Sequence, residues 1–339
     1  MKTVFLTLLW PLAVAAGLSS LCRQASAEPP QTTKLLLSNC SIDNEISVAN
    51  RNAIDQAATK FVQDLTGANP AGAYAAMTPE AKKKMTAEKF TVMAHERIQS
   101  AGPFKNLHVA HTYFVKIASK GTQQQVACGD TTKPEQWANV AAKAIPRQAH
   151  AIVEGQTASG SRAFTLWLIP EQKSWHVQDF QLGVESLAGK QAHDLWDLAR
   201  AEEQQNHDFN AYMLYVTALQ LAWRGPNLEL GVHAEIQKEM QAAQKPKDLK
   251  EQAGFNWESD NSAFKVVSMG PIASDGKMYL QISQELPPWT EDKDADSRNR
   301  ALAGAFAKLY PEYRDVFAGL AVEAHGHGTT LKYRTLIPN

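Results

Sequence analysis

Ala163-Phe164-Thr165-Leu166-Trp167-Leu168-Ile169, then Pro170-Glu171-Gln172-Lys173-Ser174, then Trp175-His176-Val177-Gln178-Asp179-Phe180 is the stretch on which the fold turns. The first seven residues are apolar on both faces, as a strand in the middle of a sheet must be. The next five carry turn residues, and the last six resume a two-residue period, so the whole reads as a β-hairpin. Trp175 and Val177 fall on one face while Phe180 and Leu182 fall on the other. That change of phase calls for a bulge near Asp179.

Upstream the alternation extends through Val109, His111, Tyr113, Val115 and Ile117, with further short strands at Gln124–Cys128 and Ala149–Gly155. Before Pro103 the period is helical. Ile54, Ala57, Ala58, Phe61, Val62 and Leu65 recur three and four apart, which predicts an amphipathic helix over 51–65 ended by Gly67. Thr78-Pro79-Glu80 is a capped helix start with proline at the first position, and Thr86-Ala87-Glu88 restarts the chain. Lys82-Lys83-Lys84 reads as a solvated helix face.

Helices followed by strands, with Tyr74–Glu80 between two helices and a closing Phe-Thr-Leu-Trp-Leu…Trp-His-Val, resembles the NTF2-like superfamily over residues 50–184. The resemblance implies an α+β fold whose curved antiparallel sheet wraps a helix into a cone. It also implies an apolar hollow, for which Tyr74, Phe90, Tyr113, Trp167 and Asp179 are the candidate lining. Relatives in that superfamily include isomerases, cyclases and dehydratases, but none of their motifs maps residue by residue onto this chain. Read from the residues alone, Asp179 is the one acid in phase with Trp175 and Val177, with His95 and Tyr113 as possible companions. A carboxylate desolvated among apolar walls becomes a better base. The bland alternative is a bulge residue bonding local amides.

Residues 186–244 read as a helical segment. Trp196, Phe209, Tyr212, Tyr215 and Trp223 lie at helical spacing and are expected in a core, and any left exposed would mark a protein-contact face. The run Arg224-Gly225-Pro226-Asn227 breaks the pattern. Residues 255–339 read as a small ββααββ domain, with Asp275-Gly276 and His325-Gly326-His327-Gly328 in its hairpin turns.

Composition bounds the function. The 339 residues carry 34 basic and 35 acidic side chains and are 44% hydrophobic, so no global field attracts nucleic acid. Lys2, the apolar run from Val4 to Leu21 and Ala25-Ser26-Ala27 read as a cleaved signal over residues 1–27, followed by an extension over 28–49. Cleavage removes Lys2 and Arg23 and leaves a net charge of −3, with no stable membrane insertion expected. Cys22 leaves with the signal. Cys40 and Cys128 remain, which in an oxidising compartment favours one disulfide, the alternative being two buried thiols.

Cofactor and catalytic motifs are lacking, so no cofactor is implied. Asp292, Asp294 and Asp296 imitate the start of a calcium loop, but Ser297 and Ala303 stand where glycine and glutamate are needed. They fit the first turn of a helix, and His325 and His327 fit an exposed turn, so no metal site is expected. The reading is an exported, non-catalytic binding or scaffolding protein of the bacterial periplasm or exterior. Its partner would be a small apolar ligand in the cone or another envelope protein. An enzyme acting on a small apolar substrate, and an interaction module using the aromatic helical segment, are the alternatives.

Overall fold

A computed structural model describes residues 40–67, 69–98, 101–117, 124–143, 145–158, 160–246, 255–259 and 262–339. The expected signal, residues 1–27, and most of the expected extension, residues 28–39, lie outside the described residues.

Helix α1, Val48–Thr66, buries Ile54, Ala58, Phe61, Val62 and Leu65, the stripe its period requires. Three short helices follow: α2, Pro70–Ala75, α3, Pro79–Lys84, and α4, Ala87–Met93. Each starts on a side-chain cap. Asn69 accepts from Gly72 N–H, Thr78 from Ala81 and Thr86 from Lys89, so donors otherwise orphaned at the helix starts are satisfied.

Five antiparallel strands form the first sheet: β1, Cys40–Ile42, β2, Lys105–Lys116, β5, Arg147–Thr157, β6, Gly160–Glu171, and β7, Ser174–Val184, in that spatial order. Its α1 side is mostly apolar, with Thr112 donating its hydroxyl to Asp55 of α1. Phe114, Ala149, Ala151, Val153, Phe164, Leu166 and Leu168 meet Ile54, Phe61, Leu65 and Phe90 there. The pairing of β6 with β7 shifts register so that Gln178 has no partner, one residue before Asp179. Thr78 Oγ1 donates to Gln178 Oε1 (2.8 Å), and Met77 and Val177 form an isolated bridge, which seats α3 on this bulge.

The NTF2-like cone is not formed. The described residues build three separate sheets, and none is closed or curled into a cone. The reason lies in β3, Gln124–Gly129, and β4, Trp137–Ala142. These two do not extend the first sheet. They pair with each other, and β4 pairs with β8, Leu228–Leu230, to make a second, three-stranded layer. Val126, Cys128, Ala138, Val140, Ala142 and Leu228 from this layer pack on Tyr113, Val115, Ile117, Ile152 and Ala163 of the first sheet. The face that a cone would leave hollow is covered by another sheet. A disulfide joins Cys40 of β1 to Cys128 of β3, with Cα atoms 5.3 Å apart, and ties the two layers at one edge.

Beyond β7 come α5, Ala192–Gln204, α6, Asp208–Ala222, and, after β8, α7, Gly231–Ala242. The C-terminal part differs from ββααββ by one strand. A sheet in the order β13-β12-β11-β10-β9 includes β9, Phe255–Ser259, beside β10, Ser262–Ser274, and β11, Lys277–Leu286. Helices α8, Asp292–Leu309, and α9, Tyr313–Val316, carry the chain over to β12, Gly319–Gly326, which runs parallel to β11, and β13, Lys332–Pro338, returns antiparallel. The helical segment and this sheet share one core. Phe209, Leu214, Tyr215 and Leu221 pack with Val266, Leu280, Ile282, Phe306 and Val322. Asn210 ties the two by donating to the Glu312 carbonyl (2.6 Å). No helix among the described residues is long and apolar enough to cross a membrane.

Candidate functional site

The first sheet's second face holds most of its chemistry. Register aligns Tyr113 with His150, His150 with Trp167, and Trp167 with Asp179, so these four form a row across β2, β5, β6 and β7. The next row along contains Ile152, Thr165 and Gln181. Two-residue alternation puts all of them opposite α1.

Tyr113, Trp167 and Asp179 therefore share a face. Tyr74 and Phe90 do not join them, because they pack together (ring centroids 5.6 Å apart) in the core on the α1 side. Phe90 is fully buried against Phe180, and Tyr74 donates its hydroxyl to the Met85 carbonyl. His95 is exposed. The five candidate residues do not surround one space.

What covers the polar row is the segment 223–227, the run that breaks the helical pattern after α6. It lies along the sheet because Gly225 permits the close approach. A Cβ on Gly225, whose φ is +94°, would meet Gln181 at 2.6 Å, and one on Gly183 would sit 3.4 Å from the Trp223 carbonyl. Asn227 Nδ2 donates to Asp179 Oδ2 (3.1 Å), and the Asn227 carbonyl accepts from Ala141 N–H of β4. The remaining oxygen of Asp179 accepts from the Phe180 amide, so both carboxylate oxygens are engaged.

Arg224 is the buried cation of this strap. Its Nη2 donates to Glu185, and its Nη1 donates to the carbonyls of Leu221 and Trp223. Glu185 extends the second face past Gly183, and Glu154 and His111 lie on the same face. Burial pushes the Glu185 carboxyl up to about 7; Arg224 opposes the shift and Glu154 adds to it. At the outer edge His111 Nδ1 lies 3.0 Å from Asp43 Oδ2, which raises the imidazole above its ordinary value. Asp43 lies below the usual carboxylate range: burial works against this, but the bonds from His111 and the Thr112 amide outweigh it. Tyr113 is pushed up by burial.

Deepest in the row sits His150. It is fully buried, its ring stacks on Trp167 (centroids 5.5 Å apart, planes 16° apart), and burial lowers it to about 3. Trp167 donates Nε1–H to Gln148 Oε1 (3.1 Å) and carries Lys143 Nζ over its ring at 4.9 Å. The space left under the strap is a cavity of about 10 Å³ walled by His150, Thr165, Trp167, Asp179, Gln181 and Arg224, among others. No small-molecule substrate fits such a volume. A shallow open groove of about 350 Å³ at the start of α1 is walled by Asn44, Arg51, Asn52 and Asp55, with Arg51 and Asp55 paired to each other at 3.5 Å.

Elsewhere, Asp296 accepts from Arg300 and from the Thr335 hydroxyl, and Asp292 and Asp294 occupy the first turn of α8. His325 faces Glu323 and His327 faces Glu285, both at 2.9 Å. No group of three or more His, Cys, Asp or Glu among the described residues is placed to hold a metal. The helical aromatics Trp196, Phe209 and Tyr215 are buried, Tyr212 is half-buried, and Trp223 is exposed.

Sequence reasoning missed His150, Glu154, Glu185 and Arg224. The available signal was the alternation His150, Ile152, Glu154, which puts two titratable groups on one face of a strand otherwise apolar. Arg224 had no local signal, since only long-range packing brings it over β7. No protein-family model matches this chain, and no curated protein or solved structure matches it either.

Proposed function

We propose that the chain is exported and works outside the cytoplasm as a non-catalytic protein that binds another protein through its surface. The observation that carries this is the Cys40–Cys128 disulfide, which fastens one sheet layer to the other. Such bonds persist in oxidising compartments and are rare in the cytosol. The filled seam adds to it: a cavity of about 10 Å³ offers nothing for a substrate to enter, so the work falls to the outer surface. Of the large apolar side chains left exposed, Val267 and Leu336 belong to the C-terminal sheet, Leu331 to the turn before β13 and Leu309 to α8.

The test has two arms. The full chain, expressed in bacteria with its N-terminal segment, is fractionated and its thiols alkylated before reduction. The expected result is an extracytoplasmic protein whose Cys40 and Cys128 react only after reduction. Cytoplasmic protein with two free thiols contradicts export. For binding, a photo-crosslinker replaces Val267, Leu331 or Leu336 in turn. One discrete protein adduct is expected, absent when the crosslinker sits at Val48 on the opposite end of the chain. Monomer alone at all three positions contradicts the binding role.

A further inference from the structure

Alone, Lys82-Lys83-Lys84 is the solvated face of the short helix α3. The fold brings three more cations to it from other elements. Glu80 of α3 accepts from Lys143 Nζ (3.0 Å) and lies 3.9 Å from Lys84 Nζ. The bond from Lys143 and, more weakly, the charges of Lys84 and Lys83 hold its carboxyl below the usual carboxylate range. Gln148 ties Lys143 to the start of β5: its side chain accepts from the Lys143 amide (3.1 Å) and donates to the Lys143 carbonyl (2.8 Å). Arg147 is the neighbouring residue of β5, and register sets it directly opposite Lys116, the last residue of β2. A row of basic residues therefore runs from α3 to the end of β2, with Glu80 as the acid paired among them. Lys83, Lys84, Lys116 and Arg147 are exposed, and Lys82 and Lys143 are half-buried. Glu171 and Lys173, in the β6–β7 turn at the same end of the sheet, offset each other.

We infer that this end of the first sheet is a docking surface for an anionic lipid membrane, held at the headgroups without insertion. Charge is the first argument. The whole chain has a formal net charge of −1, so cations gathered at one end give that end the opposite sign to the rest. Like charges set directly opposite each other on neighbouring strands destabilise a sheet, as Lys116 and Arg147 do, and an anionic surface relieves that repulsion. Residue type is the second. All of these cations except Arg147 are lysines, which are depleted at protein interfaces, where arginine and aromatic residues are enriched. Lysine is a point charge on a flexible stem, suited to a diffuse anionic surface, and clusters of about four to eight Lys or Arg are the usual footprint of acidic lipid. The third argument sets nucleic acid aside. Single strands stack their bases on exposed aromatic rings, whereas Trp167 beneath Lys143 and Phe114 beneath Lys116 are buried.

This goes beyond the proposed function and uses a different surface from Val267, Leu331 and Leu336, so either reading can fail while the other stands.

Co-sedimentation of the oxidised full chain with vesicles tests it, one set mixing phosphatidylglycerol with phosphatidylcholine and one of phosphatidylcholine alone. Stronger binding to the anionic set is expected, falling as salt rises. Each cation near the surface contributes roughly fivefold, so replacing Lys83, Lys84 and Arg147 together by glutamine is expected to weaken the anionic binding on the order of a hundredfold, and Arg147→Gln alone about fivefold. The same replacement at Lys238, Lys277 and Lys293, equally exposed but on α7, the β10–β11 turn and α8, is expected to leave binding near wild type. Equal binding to both vesicle sets, or an equal loss in the two triple variants, overturns the surface. Retention on immobilised polyglutamate without vesicle binding assigns the patch to an acidic protein and overturns the lipid.

Discussion

The two faces of the first sheet are built from the same strands and behave as opposites. Toward α1, Ala149, Ala151 and Val153 of β5 and Phe164, Leu166 and Leu168 of β6 are apolar, and Phe61 and Phe90 each pack edge to face on Phe180. Toward β4 and the strap, the alternate residues of the same strands include His150, Glu154, Thr165 and Trp167. The first face needs only area and shape. The second also buries polar and charged groups, and a strap and a second sheet, tied at one edge by a disulfide, cover it. A strand buried on both sides can thus hide a polar seam within an apolar-looking run, because Thr165 and Trp167 pass for ordinary strand residues.

Variants can separate the two faces, and the largest effect is expected at their common edge. Replacing Cys40 and Cys128 together by serine removes a link across 88 positions of chain and is expected to lower stability by about 4 kcal/mol in urea unfolding. The loss should appear first as faster amide exchange in β3 and β4, with α1 and β5 unaffected until global unfolding. Loosening of α1 before β3 would break the assignment of the clamp to the seam side.

On the apolar face, Phe61→Ala empties a fully buried site and is expected to cost about 3–5 kcal/mol, with no dependence on pH. On the seam face, Arg224→Met leaves Glu185 buried without its cation. That costs about 3 kcal/mol at pH 8, and less below pH 7, where Glu185 takes up a proton. Chemical denaturation of both variants at pH 6 and pH 8 checks the contrast. A pH-independent loss for Arg224→Met would show that the pair contributes packing alone.

The two faces also differ in the slopes of stability with pH. His150 is lowered from 6.5 to about 3 in the folded chain, so its contribution is present above pH 6.5 and is lost as pH falls toward 3. Glu185 is raised from 4.5 to about 7, so its contribution is present below pH 4.5 and is lost as pH rises through 7. His150→Phe is expected to flatten the acid slope and Glu185→Gln the neutral one, each leaving the other in place. If either variant removes both slopes, the two groups titrate as one unit.

Local signals in the sequence were legible where local physics decides. The stripe of Ile54, Phe61 and Leu65, the caps at Thr78 and Thr86 and the β6–β7 hairpin all follow from spacing and capping chemistry. The phase change between Val177 and Phe180 located the bulge to within a residue. What stayed hidden was which surface each strand meets. Trp137–Ala142 is short and alanine-rich, too weak a pattern to read as a strand, yet it covers the face expected to be hollow. Arg224-Gly225-Pro226-Asn227 reads as a helix break. Its second role, carrying a cation onto Glu185, depends on packing against β7, about forty positions earlier in the chain. The five residues expected around one hollow divide between faces, because a period of two fixes the sides of a single strand but cannot say what packs on them.

The filled seam is the central claim, and titrating an apolar fluorescent probe into the oxidised protein tests it most directly. With about 10 Å³ of space beneath the strap, no saturable one-to-one binding is expected, and Trp167→Phe should leave the titration unchanged. A stoichiometric complex that weakens on Trp167→Phe would contradict the account and place a hollow where the structure puts a packed polar seam.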